Sequence, residues 1–170
     1  MKTLYAGLDP GMSGAFAVIG IKGTDGRNFF HFSHQGIAKS DHLGIMDIND
    51  YVNSLPSARD YGADRVIVFI EQCMVLARQG GAAKIGVNWG ICYGAVSWAY
   101  GEQNIRITHP RVWKAHVFGE GQHDKEESIA KAHSMGYDIP TLRPAGHVLD
   151  DNVAEALLLA TYGREVIENV

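Results

Sequence analysis

Two short apolar runs, each closed by an acid, frame this chain. Leu4-Tyr5-Ala6-Gly7-Leu8 ends at Asp9 and is followed at once by Pro10-Gly11, and Val66-Ile67-Val68-Phe69-Ile70 ends at Glu71. A continuous apolar run of this length, bounded by turn residues or charge, is the pattern of a strand covered on both faces. Residues 3–9 and Val66–Glu71 are therefore expected as strands inside a sheet, with a carboxylate at the exit of each. Ala15–Lys22 reads as another apolar strand, and Gly23-Thr24-Asp25-Gly26 supplies hairpin chemistry before a third near Asn28–His34. Ile105–Thr108 is a short fifth strand, stopped by His109-Pro110.

Elsewhere the pattern predicts helices over Asp47–Tyr61, Ala82 to Tyr100, Pro110 to about Val117, Asp124–Met135, and from near Asp150 toward Ile167. Proline suits a helix start, and the acids of the fourth helix lie in its first turn, where the dipole favours them. The helix from Ala82 carries Ile85, Trp89, Cys92, Val96 and Tyr100 at helical spacing, with Tyr93 and Trp98 on neighbouring faces. Such a stripe suits core packing and is also open to use as an interface. Arg78-Gln79-Gly80-Gly81 and Asp138 through Gly146 read as loops. Three strands, a helix, a strand, a helix, a strand and further helices predict an α/β domain with a mixed five-stranded sheet flanked by helices, the element order of the ribonuclease H-like fold. With no repeat, low-complexity tract or linker, residues 1–170 read as one domain.

Composition narrows the class. Hydrophobic residues make up 46% of the chain, yet no apolar stretch reaches the roughly 18–20 residues a bilayer span requires. The start, one lysine and a short run that meets Asp9, does not read as a signal peptide. Cys73 and Cys92 have neither metal-ligand nor redox spacing, which suits reduced thiols in the cytoplasm. The net charge is −4, but its distribution is uneven. Between Gln72 and Gly119 the only acid is Glu102, against Arg78, Lys84, Arg106, Arg111 and Lys114. A basic surface beside an acidic site is thus permitted, as a nucleic-acid enzyme needs, although scattered surface charge would give the same count.

The candidate chemistry lies in four acids. Asp151 and Glu155, one helical turn apart, join the strand-end Asp9 and Glu71. Glu155 interrupts the apolar series Val153, Ala154, Ala156, Leu157, Leu158, Leu159 and Ala160. Carboxylates gathered at adjacent strand ends repel unless protonated, solvated or neutralised by a cation. All-oxygen ligands favour hard ions, Mg²⁺ or Mn²⁺, and two such ions about 3.5–4 Å apart clamp both oxygens of a phosphodiester displacement. Each acid also has an ordinary role open to it: Asp9 in a turn, Glu71 in solvent, Asp150 or Asp151 as a helix cap, Glu155 on a solvent face. The one-turn spacing to Glu155 favours Asp151 as the ligand and Asp150 as the cap.

Four segments together resemble RuvC-like Holliday junction resolvases, particularly the shorter bacteriophage versions. They are Gly7-Leu8-Asp9-Pro10-Gly11-Met12-Ser13-Gly14-Ala15, Ile70-Glu71-Gln72, Thr108-His109-Pro110-Arg111-Val112-Trp113-Lys114 with Asp124-Lys125-Glu126 beyond, and Asp150 through Ala160 ending in Tyr162-Gly163. The resemblance implies a homodimeric endonuclease using two Mg²⁺ ions per site, with Mn²⁺ able to substitute, that nicks four-way DNA junctions symmetrically in the cytoplasm of a host cell. It implies Asp9 as the ligand shared by both ions, Glu71 on one, and Asp151 and Glu155 on the other. Lys114 and Lys125 are implied near the scissile phosphate, although Lys125, flanked by Asp124, Glu126 and Glu127, is equally open to a surface ion pair. Bacterial resolvases usually have Asp where Glu155 stands and a spacing of three, whereas this chain has four.

Junction recognition should rest on shape and phosphates rather than base edges. The loop after Glu71, with Met74, Val75, Arg78 and Lys84, is the candidate probe of the junction centre, and Met74 is also open to a core role. Arg111 is a further DNA-binding candidate in the acid-poor stretch, and His147 is open to a place near the attacking water or to an ordinary loop role. The competing readings are a ribonuclease H-like nuclease acting on RNA–DNA hybrids or other branched DNA, a junction-binding protein without cleavage, and an ATP-hydrolysing or sugar-phosphorylating domain that reuses the Asp9-Pro10 turn. The short chain disfavours the last.

Overall fold

Alternation along three neighbouring strands sorts their side chains into two cores. The computed structural model describes residues 2–10, 14–22, 28–34, 52–53, 55–73, 82–121, 123–139 and 151–169. Strands β1 (Thr3–Asp9), β2 (Ala15–Lys22), β3 (Asn28–His34), β4 (Arg65–Glu71) and β5 (Ile105–Thr108) form one sheet in the order β3-β2-β1-β4-β5. β1–β2 and β2–β3 are antiparallel, whereas β1–β4 and β4–β5 are parallel. The five strands match the sequence expectation; the turn at 23–26 lies outside the described residues.

Parallel neighbours need a crossover, and α1 (Ala82–Tyr100) supplies it between β4 and β5. Among the described residues three further helices follow: α2 (Pro110–Phe118), α3 (Lys125–Ser134) and α4 (Asp151–Glu168). On one face of the sheet Leu4, Ala6, Leu8, Phe16, Val18, Val66, Val68 and Ile70 pack against Cys92, Ala95 and Val96 of α1. On the other face Tyr5, Ala17, Ile19, Ile67 and Phe69 meet the apolar side of α4, with Trp113 of α2 and Ile129 of α3 in the same cluster. Full burial of each large apolar side chain is worth about 1.5–3 kcal/mol, so the pattern that hides both faces also holds the helices.

The α1 stripe belongs to the core. Cys92 and Val96 are fully buried, Trp89 and Tyr100 pack against the same cluster, and Tyr100 stacks on Phe16 with ring centroids 6.0 Å apart. Trp98 lies outside it, 83% exposed. Helix α4 approaches β1 closely enough that a Cβ on Gly7 would overlap the Ala156 carbonyl and lie 2.7 Å from Ala160 N. Glycine at position 7 therefore lets the first turns of α4 lie directly against the strand that ends in Asp9.

The helix expected over Asp47–Tyr61 does not continue to its end. Val52 and Asn53 are helical, but the chain leaves the helix at Leu55-Pro56-Ser57 and resumes as a separate 3₁₀ turn, Ala58–Tyr61. Proline has no N–H to donate and disfavours helical geometry at the residue before it. Ser57 then caps the new turn: its side chain accepts from Arg59 N at 3.2 Å, and Asp60 accepts from Ser57 N at 3.1 Å. Residues 47–51 lie outside the described residues. Among the described residues no helix is long and apolar enough to cross a membrane.

Candidate active site

Asp9 and Glu71 leave the sheet side by side because β1 and β4 run parallel with Leu8 opposite Ile70. Consecutive residues of α1 hold the backbone at these exits. The buried Asn88 donates through Nδ2 to the Pro10 carbonyl at 2.6 Å, and Trp89 donates through Nε1 to the Glu71 carbonyl at 2.9 Å. Gln72 N continues the β5 pairing by donating to Thr108 O at 2.8 Å. A small pocket at this end is lined by Asp9, Glu71, Gln72, Cys73, Ile85 and Pro110.

Glu71 is largely withdrawn from water. Trp113, which is fully buried, donates its Nε1–H to Glu71 Oε2 at 2.7 Å. Burial pushes the Glu71 carboxyl above its ordinary pKa; the Trp113 hydrogen bond opposes this, the charge of Glu155 reinforces it and that of Lys114 opposes it.

The last pair stands at the start of α4, Asp151 on its first residue and Glu155 one turn later. Each meets a lysine from another helix. Lys114 of α2 donates to Glu155 Oε1 at 2.7 Å, and Lys125 of α3 donates to Asp151 Oδ2. Ser128 Oγ adds a long contact to Glu155 Oε1 at 3.4 Å. The local ion pair open to Lys125 is not the one it makes. Asp124 caps α3 by accepting from Glu127 N at 2.9 Å, and the Glu127 carboxylate accepts from Asp124 N at 3.3 Å while meeting His123 at 3.0 Å. Two of the neighbouring acids are thus occupied by the cap, and Lys125 reaches across to α4.

The four acids share one electrostatic neighbourhood. The Lys125 ammonium is held above its ordinary pKa first by its hydrogen bond to Asp151, against a lowering by burial, and then by the charges of Asp151, Glu155 and Asp9. Glu155 in turn acts on Glu71. Still, among the described residues no three His, Cys, Asp or Glu side chains surround a common point that could hold a metal ion. Two of the four carboxylates have ammonium partners instead. The donor chemistry, all carboxylate oxygen, fits a hard divalent cation, which would compete with these lysines for the same oxygens.

Arg111 is exposed and lines a groove between α2 and α3 with Lys114, His123 and Asp124. Its backbone N–H donates to Nδ1 of His109, the cap of α2, at 3.1 Å. Met74, Arg78, His147 and Asp150 lie outside the described residues, as does the side chain of Lys84 on the first turn of α1. Three residues had no part in the site assigned from sequence: Trp113, Asn88 and Trp89, the last expected only in the α1 stripe. A buried asparagine in an apolar helix and two tryptophans near site motifs were the available signals, but neither spacing nor periodicity names their partners.

No protein-family model and no curated protein sequence matches the chain. Solved structures do. The chain is similar to T. thermophilus RuvC in complex with a Holliday junction substrate, with a TM-score of 0.64 and 20% identity over 98% of this chain and 95% of that one. It is also similar to a further Thermus thermophilus RuvC structure, with a TM-score of 0.61 and 18% identity over 98% and 96% of the two chains. The fold is therefore the ribonuclease H-like fold of RuvC, across nearly the whole length.

Proposed function

We propose that this chain is a structure-selective endonuclease that resolves four-way or other branched DNA by hydrolysing phosphodiester bonds with two Mg²⁺ ions, Mn²⁺ substituting. The observation that supports this reading is the RuvC-like fold with Asp9 and Glu71 at adjacent parallel strand ends and with Asp151 and Glu155, at the start of α4, paired to Lys125 and Lys114. The similar RuvC structure that holds a Holliday junction substrate supports branched DNA as the substrate class.

Asp9 and Glu71 would hold cations from the strand ends, and Asp151 and Glu155 from the start of α4. Bound there, the cations would acidify a water for attack on phosphorus and stabilise the departing oxygen. The chain's own residues do the rest. Lys125, whose side chain is 73% exposed, has room to turn from Asp151 to a phosphate oxygen, and a cation beside Asp151, which is 17% exposed, would then replace the ammonium. Lys114, closer to the core, keeps positive charge beside Glu155. Asn88 and Trp89 hold the two strand exits, so the acids from β1 and β4 keep their separation when a strand of DNA binds.

Arg111 and Lys114, on the α2 side of a groove whose other side carries Glu120, Asp124 and Glu127, would meet DNA phosphates beside the site, and Met74, Arg78 and Lys84 would meet the junction centre. Symmetric cleavage needs a two-fold homodimer. Its candidate surface is the outer side of α1, where Val87 and Trp98 are 51% and 83% exposed and a Cβ at Gly86, Gly90 or Gly94 would meet nothing within 4 Å. A strictly monomeric protein at micromolar concentration would count against the dimer. The substrate reading is tested with matched four-way junction, flap and RNA–DNA hybrid substrates in Mg²⁺. Preferred nicking of the junction is expected, and preferred cleavage of the hybrid would contradict it.

A further inference from the structure

We infer that Trp113 is a positioning residue for Glu71: its indole N–H fixes one carboxylate oxygen and leaves the other for the divalent cation. This rests on the two-cation reading above. Trp113 is fully buried on α2, 42 residues along the chain from Glu71, and its Nε1 donates to Oε2 at 2.7 Å. An indole N–H has one proton and one direction, so it selects a single oxygen and a single carboxylate orientation. The bond is charge-assisted when Glu71 is ionised, and it lies where little water competes.

The backbone of Glu71 is held separately, by Trp89 on α1 at 2.9 Å. Trp113 therefore governs the side-chain orientation rather than the position of the strand end. The same ring also faces the neighbouring lysine. Lys114 Nζ lies 5.1 Å from the Trp113 ring centroid, and Lys114 holds Glu155 at 2.7 Å. One indole thus touches the β4 acid through its edge and, through its face, the lysine that holds the α4 acid. Apolar packing on Phe118, with centroids 6.5 Å apart, accounts for the burial of the ring but not for the aim of its N–H.

The test removes the N–H and keeps the shape. Benzothienylalanine at position 113 retains both rings and lacks the donor, and Trp113→Phe is the encoded counterpart. Mn²⁺ affinity is read without DNA, from the loss of free-ion signal in electron paramagnetic resonance, in the parent and in Glu71→Gln. Both changes at 113 should weaken Mn²⁺ binding about tenfold, as loss of a residue that orients a metal ligand does. Neither should weaken it further in Glu71→Gln. On junction substrate kcat should fall while KM stays near that of the parent. Undiminished Mn²⁺ affinity in the folded analogue protein, or an equal loss in the Glu71→Gln background, would overturn the positioning role and leave the nuclease reading intact. Parent protein whose Mn²⁺ binding is indifferent to Glu71→Gln would overturn both.

Discussion

Lys114 on α2 donates to Glu155 on α4 at 2.7 Å, so the acid that interrupts the apolar run of the last helix already has a positive partner. Lys125 does the same for Asp151. Of the four candidate acids, the two on the helix are paired with lysines, while Glu71, at a strand end, is hydrogen-bonded by an indole. Entry of divalent cations would thus be an exchange of positive charge rather than its first arrival.

The Lys114 pair is the more buried of the two, with side chains 26% and 18% exposed. Lys114→Met leaves Glu155 without its partner in a half-buried setting and should cost about 1–3 kcal/mol of unfolding free energy in the absence of divalent cations. Mg²⁺ should then stabilise the variant more than it stabilises the parent. Denaturant titrations with and without Mg²⁺ check this, and an unchanged midpoint would refute it.

Lys125 is different because its side chain is 73% exposed. Solvent screening of the ammonium limits the loss, but Asp151, 17% exposed, is left without its partner, so Lys125→Ala should cost about 1–2 kcal/mol of stability. Junction nicking should nevertheless slow about a hundredfold if the ammonium stabilises charge at the phosphate. Single-turnover rates on folded protein distinguish this from a purely structural loss.

Gly7→Ala should act at a distance from the chemistry. The added methyl would overlap the Ala156 carbonyl, which is helix backbone and has little room to yield. A loss of about 3 kcal/mol is expected. The surviving folded protein should nick slowly, because Asp151 and Glu155 stand at the start of the displaced helix. Thermal unfolding and nicking rate, measured on the same samples, should fall together.

Burial pushes the Cys92 thiol up to about 12, with the charge of Asp9 adding to the effect. The unfolded chain ionises near the ordinary 9.0, so the contribution of this group is whole below that pH and declines as pH rises toward 12. Cys92 should resist thiol reagents at pH 8 in the native protein, whereas the half-buried Cys73 reacts. Two thiols should label after denaturation. Labelling of Cys92 at the rate of Cys73 would contradict its place between the sheet and α1.

The strands and the helices α1 to α4 were legible because their signals are local. Runs that close on Asp9 and Glu71 announce strand ends, and Asp124 with Glu127 announces the start of α3. The overextended helix toward Tyr61 came from weighing periodicity above Pro56, although Ser57 and Asp60 already spell a new capped turn. The four candidate acids stood out as awkward residues, but their partners did not. Lys114 and Glu155 are 41 residues apart and Trp113 and Glu71 are 42, and such distances are closed only by docking α2 against the sheet and α4. Lys125 shows the same limit in reverse, passing over acids beside it in the chain for one 26 residues away.

The most direct test of the account is nicking of a four-way junction by the parent and by Asp9→Asn, each measured with Mg²⁺ and with chelator, alongside junction binding. The account predicts paired, Mg²⁺-dependent nicks by the parent, and no nicking by Asp9→Asn under conditions where it still binds the junction. Junction binding without nicking by the parent in Mg²⁺ or Mn²⁺, or nicking that survives Asp9→Asn, would contradict it.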